Sequence, residues 1–268
     1  MIGPGAPRLV DRPWPDAGRL VVLVPVGSTE QHGPHLPLDT DTVVASVAAE
    51  ALAERLRAAG VDAVVGPPVA YGASGEHQAF AGTISIGTQA LTFLLLELGR
   101  SACEWAERVV FVNGHGGNVE ALATAVPVLI DEARPVAWLP CVPGRGAGGP
   151  AGPDVLDVPV DAHAGRSETS ILLALDAGRV LLDRAEPGND APIGELIGEL
   201  RERGVRAVSS NGVLGDPTAA SADEGAALTD AMIADAWARL QRGRVDERGC
   251  LAPPSRGPAV DPTTGAVS

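Results

Sequence analysis

Val21 to Val26 is an unbroken apolar, mostly β-branched run, the pattern of a strand covered on both faces. Val109 to Val112 repeats it, and Val61 to Val65 and Val136 to Leu139 are weaker strand candidates. Between these runs the apolar period lengthens to that of a helix. Thr42 to Ala59 carries Val43, Val44, Val47, Ala51 and Leu52, with an acidic start at Asp41 and a stop at Gly60. Thr88 to Trp105, Val119 to Glu132, Glu168 to Leu175 and Asp223 to Gln241 follow the same pattern. Strands alternating with helices predict an α/β fold, with a mostly parallel sheet covered on both faces. Such sheets bind ligands beyond the carboxyl ends of their strands, so the loops after strands are where chemistry is expected.

Residues 1–17 read as an irregular lead-in, 18–243 as one folded domain, and 244–268, with Pro253, Pro254, Pro258 and Pro262, as a disordered tail. The Gly/Pro-dense stretch from Pro143 to Pro159 is longer than most loops and has the character of a lid or an oligomer contact. A chain of 268 residues with 45% hydrophobic residues can bury a substantial core.

The formal net charge of -14 disfavours a nucleic-acid partner, because a phosphate backbone needs a positive track. All 20 basic residues are arginines, which excludes Schiff-base chemistry and a P-loop lysine. Cys103, Cys141 and Cys250 are widely spaced and form no Cys-x-x-Cys pair, which fits a reduced cytoplasmic protein. Neither a signal-peptide pattern nor a stretch of roughly 18 apolar residues is found, so neither secretion nor membrane insertion is expected.

The first strand runs into Gly27-Ser-Thr-Glu-Gln-His-Gly-Pro-His-Leu-Pro-Leu-Asp-Thr-Asp41, which gathers Glu30, His32, His35, Asp39 and Asp41 at a strand end. Carboxylate with imidazole is the ligand set for Zn, Mn or Fe. Glu30 and His32, two residues apart in extended backbone, project to the same side, and Asp41 at the following helix can fold back over it and bridge two ions. The alternative is a solvated loop with Asp41 as a helix cap.

After the second strand, Asn113-Gly-His-Gly-Gly-Asn118 offers His115 as a further ligand. A Gly-rich turn can also cradle phosphate, but this one fits neither the P-loop nor the dinucleotide fingerprint. His163-Ala-Gly-Arg-Ser-Glu168-Thr-Ser170 leads into a helix, where Ser167 as cap would account for Glu168 but not for His163. Tyr71 to Thr83 carries Ser74, Glu76 and His77 in another Gly-broken loop, with a packing histidine as the competing reading. All five histidines fall in these four loops, as a shared active site would require.

Together, Glu30-Gln-His32 with Asp41, Asn-Gly-His115, and His163-Ala-Gly-x-x-Glu168-Thr-Ser resemble the creatininase (creatinine amidohydrolase) family from about Val22 to Gly225. Within it, the Gly27–Thr42 segment, Gly75-Glu-His77-Gln-Ala-Phe-Ala-Gly-Thr-Ile-Ser-Ile86 and Gly212-Val-Leu-Gly-Asp-Pro-Thr218 look most like the mycofactocin-system peptidase branch. The family resemblance implies a three-layer α/β/α sandwich, two divalent metal ions per subunit (Zn, Fe or Mn), homo-oligomers that are often hexameric, and hydrolysis of amide C–N bonds. For the branch it implies release of a modified C-terminal Val-Tyr dipeptide from a short ribosomally made precursor peptide. By position, Glu30 and His115 would hold one ion, His32 the other, Asp41 would bridge both, and His163 would be the catalytic histidine.

The chain departs from the family in having Gly117 where creatininase has a glutamate ligand, and Glu168 is the candidate to replace that carboxylate. A metal-activated water would attack the amide, with His163 as proton shuttle. Ser74, Glu76, His77, Asn113 and Arg166 are candidate substrate contacts, Arg166 through its bidentate fork. The rival readings are hydrolysis of a small cyclic amide of the creatinine or formamidopyrimidine type, and a non-catalytic metal-binding scaffold.

Overall fold

The computed structural model describes residues 6–141 and 161–253. The Pro143–Pro159 stretch and residues 254–268 lie outside the described residues. Four strands, β1 (Val21–Val26), β2 (Ala63–Val65), β3 (Arg108–Asn113) and β4 (Val136–Pro140), form one parallel sheet in the order β2-β1-β3-β4.

The apolar runs of β1 and β3 are explained by burial on both faces. Val22, Val24, Val109 and Phe111 enter the core beneath α2 (Gly87–Ala102) and α3 (Val119–Asp131), while Val21, Leu23, Val110 and Val112 enter the opposite core. That second core is closed by α1 (Thr40–Ala58), α4 (Arg166–Asp176) and α7 (Ala222–Arg242). The result is the α/β arrangement expected, with helices on both sides of the sheet. Phe111 is fully buried, and Phe111→Ala would cost about 3–5 kcal/mol in lost transfer energy and cavity.

On α1 the buried residues Val44, Ala45, Ala48, Ala49, Leu52 and Ala53 recur at three- and four-residue intervals, so one apolar stripe faces the sheet. The small residues on that stripe allow the helix to lie close to the strands. On α7, Ser221 caps the first turn by accepting from the Glu224 N–H, and Gly243 ends the helix in the left-handed conformation.

Two elements were not expected from the sequence: α5 (Ile193–Arg203) and the single turn α6 (Val205–Val208). The spacing of Ile193, Leu196, Ile197 and Leu200 is helical, but Gly194 and Gly198 mask it. This pair packs on the Gly75–His77 turn, where Arg206 also donates to the Ala79 carbonyl at 2.9 Å.

The folded part also extends past residue 243, into the segment read from sequence as a disordered tail. Cys250 pairs alongside Trp138 at the sheet edge, Leu251 is fully buried, and Arg239 of α7 donates to the Leu251 carbonyl at 3.1 Å. At the other edge, the Val65 N–H donates to the Pro7 carbonyl, tying the lead-in to β2.

Candidate active site

The site forms beyond the carboxyl ends of β1 and β3, where a parallel sheet leaves a crevice. After Val26 the chain passes through Ser28, Glu30, Gln31 and His32, turns back at Leu36, and enters α1, whose second residue is Asp41. β3 ends at Asn113 and delivers His115. The Gly75–His77 turn supplies Glu76 and His77. The loop entering α4 supplies His163, and Glu168 stands in the first turn of that helix.

Asp41 is the centre of the arrangement. Its Oδ1 lies 3.1 Å from His32 Nε2 and its Oδ2 lies 3.0 Å from His115 Nδ1. Ser28 Oγ donates to the same Oδ2 at 2.7 Å, which orients the carboxylate. Burial opposes ionisation of Asp41, but the two imidazoles hold its carboxyl well below the usual range. Asp41 makes no helix-capping hydrogen bond, so the capping alternative does not describe it.

Glu30 is fully buried, with Oε2 3.2 Å from His115 Nε2 and Oε1 3.4 Å from His77 Nε2. Burial pushes its carboxyl up to about 7. His32 and His115 are raised to about 10: burial alone would lower them, and the surrounding carboxylates, Asp41 and Glu30 foremost, reverse it. His77, lowered to about 3, and His163, lowered well below the ordinary range, are governed by burial instead.

Glu168 brings its Oε2 to 3.9 Å from His32 Nε2, and burial pushes its carboxyl up to about 7. His32 and His163 stack at 4.3 Å between ring centroids, and His163 and His77 at 4.4 Å. Three overlapping triads result: Glu30–Asp41–His115, His32–His163–Glu168, and Glu30–His77–His163, each with ligand atoms within 4.8 Å of one another.

A metal fits this donor set. Neither oxygen of the buried Glu30 carboxylate makes a hydrogen bond, a costly arrangement that a cation held between Glu30 and its imidazole neighbours would relieve. Gly117 fits as well: with the loop in this conformation a β-carbon there would overlap the Ala73 carbonyl and His115 Nε2 and crowd Glu76 Oε1, so position 117 has no room for a carboxylate side chain unless the loop moves.

Other residues singled out in the sequence lie elsewhere. His35 is turned away, 2.8 Å from Thr169 Oγ1, and Asp39 pairs with Arg179 on the surface. Asn113 uses its amide inside the fold, donating to the His115 carbonyl at 2.8 Å and accepting from Asn118, so it braces the loop. Arg166 donates from Nε to Glu224 at 2.8 Å, which ties its guanidinium to α7. Ser167 does not cap α4. That place belongs to Asp161, whose carboxylate accepts from the Ser167 N–H at 3.1 Å. Ser28, Gln31 and Asp161 were missed because an ordinary polar residue carries no sequence signal of its partner.

Concavities of about 520 and 350 Å³ lie at the amino ends of β1 and β3 and against α2 and α3, and neither touches the histidines.

The sequence pattern of the creatininase family, described as creatinine amidohydrolase, matches residues 11–240. The chain belongs to the creatininase family. Two relatives are mycofactocin precursor peptide peptidases: one from Mycolicibacterium smegmatis, 53% identical over 232 residues (86% of this chain, 88% of the relative), and one from Mycobacterium tuberculosis, 50% identical over 235 residues (86% and 88%). A creatinine amidohydrolase from Pseudomonas putida is 32% identical over 124 residues, 44% of this chain and 46% of its own.

Solved creatininase structures agree in fold. A crystal structure of creatinine amidohydrolase superposes with a TM-score of 0.67 at 24% identity, covering 87% of this chain and 95% of its own. A creatininase described with Mn superposes at 0.68 and 25%, covering 87% and 96%. As a creatininase-family member the chain is a metal-dependent hydrolase of amide bonds. No helix among the described residues is long and apolar enough to cross a membrane.

Proposed function

We propose that this enzyme is a peptidase that uses two divalent ions, Zn, Fe or Mn, to release the modified C-terminal Val-Tyr dipeptide from a mycofactocin precursor peptide. The observation that carries the reading is the buried Asp41 carboxylate between His32 and His115, beside a Glu30 whose two oxygens make no hydrogen bond. Identity of 50–53% to relatives named for that peptide supports the substrate.

In this reading Glu30, Asp41 and His115 would hold one ion, and His32 and Glu168 would hold the other with Asp41 shared between them. Bound ions supply Lewis acidity and a water of lowered pKa. Ser28 keeps Asp41 in its bridging orientation. Glu168 replaces the carboxylate that position 117 lacks. His163 is the proton carrier, taking a proton from the attacking water and returning it to the leaving amine, as a neutral buried imidazole can. Ser74, Glu76 and His77 form one wall of the site; Ser74 Oγ lies 3.4 Å from His115 Nε2. We further propose that the enzyme works in the cytoplasm as a homo-oligomer.

Incubation with the modified precursor peptide should release a dipeptide-derived product detectable by mass spectrometry, with little hydrolysis of creatinine. Efficient creatinine turnover with an untouched precursor would favour the cyclic-amide reading and overturn the peptide assignment.

A further inference from the structure

Gln31 stands between two proposed ligands and takes no part in the mechanism above. It is buried, and its amide orientation is determined: Oε1 accepts from the Gly33 N–H at 2.8 Å, which turns the nitrogen inward. That nitrogen lies 2.9 Å from His77 Nδ1, 3.0 Å from His163 Nε2 and 3.1 Å from the Gly212 carbonyl. An amide nitrogen has two hydrogens for these three neighbours.

The main chain of the same residue decides the allocation. His163 Nε2 lies 2.8 Å from the Gln31 carbonyl, which only accepts, so this nitrogen carries a proton and donates it. It cannot also accept from the amide. The two amide hydrogens therefore go to the Gly212 carbonyl and to His77 Nδ1. A ring nitrogen that accepts is unprotonated, so the proton of His77 sits on Nε2, 3.4 Å from Glu30 Oε1.

We propose that Gln31 is a positioning residue that places the protons of both histidines. Its side chain holds His77 as the Nε2–H tautomer, turned toward Glu30. Its carbonyl holds the His163 proton on Nε2 and leaves the Nδ1 lone pair facing the site, 3.8 Å from Glu30 Oε1. Of the three overlapping triads, the one containing His77 is thereby disfavoured as an ion site, because Nε2 could ligate only if its proton moved to Nδ1 and the hydrogen bond from the amide were given up. The reactive nitrogen of His163 is Nδ1. The surrounding loops are built around the amide: Gly33 and Gly212 have φ of 65° and 84°, and a β-carbon on Gly212 would overlap the Gln31 side chain.

The inference rests on the two-metal reading only for its kinetic consequence, since the tautomers follow from the hydrogen-bond partners of Gln31. Solid-state ¹⁵N NMR of zinc-loaded, histidine-labelled enzyme separates protonated, unprotonated and zinc-bound ring nitrogens, and loss of a signal in His77→Asn identifies His77. The wild-type enzyme should show His77 with a bare Nδ1 and a protonated Nε2. In Gln31→Glu a carboxylate oxygen replaces the amide NH₂, so a proton should move to His77 Nδ1. Zinc content should be unchanged, while kcat falls about 10–100-fold, the range for groups that orient a metal site. Gln31→Met, which fills the space without hydrogen bonding, should show both His77 tautomers. A proton on His77 Nδ1 or zinc on its Nε2 in the wild type, or a His77 pattern unmoved in both variants, would overturn the proposal. A failure to cleave the precursor would leave that pattern readable and would count against the substrate alone.

Discussion

Glu168 accepts a hydrogen bond at 2.6 Å from the backbone N–H of Ala164, a residue held at φ 52°. That left-handed conformation costs an alanine about 1 kcal/mol or more, so it persists only where neighbours impose it. The pairing of His163 with Leu214 supplies the other restraint, the Leu214 N–H donating to the His163 carbonyl at 2.8 Å. Glu168 thus has a structural task, fixing the residue beside His163, besides the proposed metal task beside His32.

The two tasks can be separated. Glu168→Gln keeps an oxygen for the Ala164 N–H but removes the charge, so metal content should fall towards one ion per chain with little change in Tm. Glu168→Ala leaves that N–H without its acceptor and should also lose about 1–3 kcal/mol of stability. Metal analysis and thermal unfolding distinguish them, and unchanged stoichiometry in Glu168→Gln would leave Glu168 with the structural task only.

Asp41 and His163 should fail differently. Asp41→Ala removes the carboxylate shared by His32 and His115 and should strip both ions. His163→Ala should keep the ions and lose about 10²–10⁴-fold in kcat, the contribution of a positioned proton carrier. Two ions per chain in Asp41→Ala would refute bridging, and metal loss in His163→Ala would make His163 a ligand.

Loading with metal should release protons. His32 and His115, raised to about 10 by their carboxylate partners, hold protons at pH 7 that an ion must displace. Affinity should therefore fall as pH falls and rise as pH rises towards 10, with the heat of binding varying with the ionisation enthalpy of the buffer. Chelation should abolish turnover and Zn, Mn or Fe restore it. Full turnover after verified metal removal would refute the metal mechanism.

Gly117→Ala should be as damaging as a loss of ligand, although it adds one methyl group. The new β-carbon overlaps the Ala73 carbonyl and His115 Nε2, so relief requires moving His115. We expect a stability loss of about 1–3 kcal/mol, typical of overpacking, together with lowered metal content. Full metal occupancy with unchanged Tm would show that the loop yields at no cost.

Residues 21–26 and 109–112 were legible as strands because burial on both faces demands apolar side chains at every position, a demand written directly into the chain. The cluster was legible for a similar reason. Holding a divalent ion requires carboxylates and imidazoles, and Glu30, His32, Asp41, His115, His163 and Glu168 are concentrated where strands end and helices begin. α5 was not legible, since two glycines dilute its apolar stripe and Leu200 is its one buried residue. The folded segment around Cys250 and Leu251 was hidden by the prolines that follow it.

What the sequence by itself determined is therefore the α/β sheet, the ends of it that carry chemistry, and the residue types of the site. Tertiary structure alone decided which polar groups meet. Gln31 reaches His163 across 132 positions, Arg166 turns to Glu224 across 58, and His35 turns from the cluster to Thr169 across 134. These choices follow from the packing of α4 and α7 against α1 and from loop conformations that hold each side chain in one direction. A hydrogen bond depends on tenths of an ångström and on angle, whereas hydrophobic burial depends only on area, so the pattern of apolar residues foretells the core but not the partner of an amide.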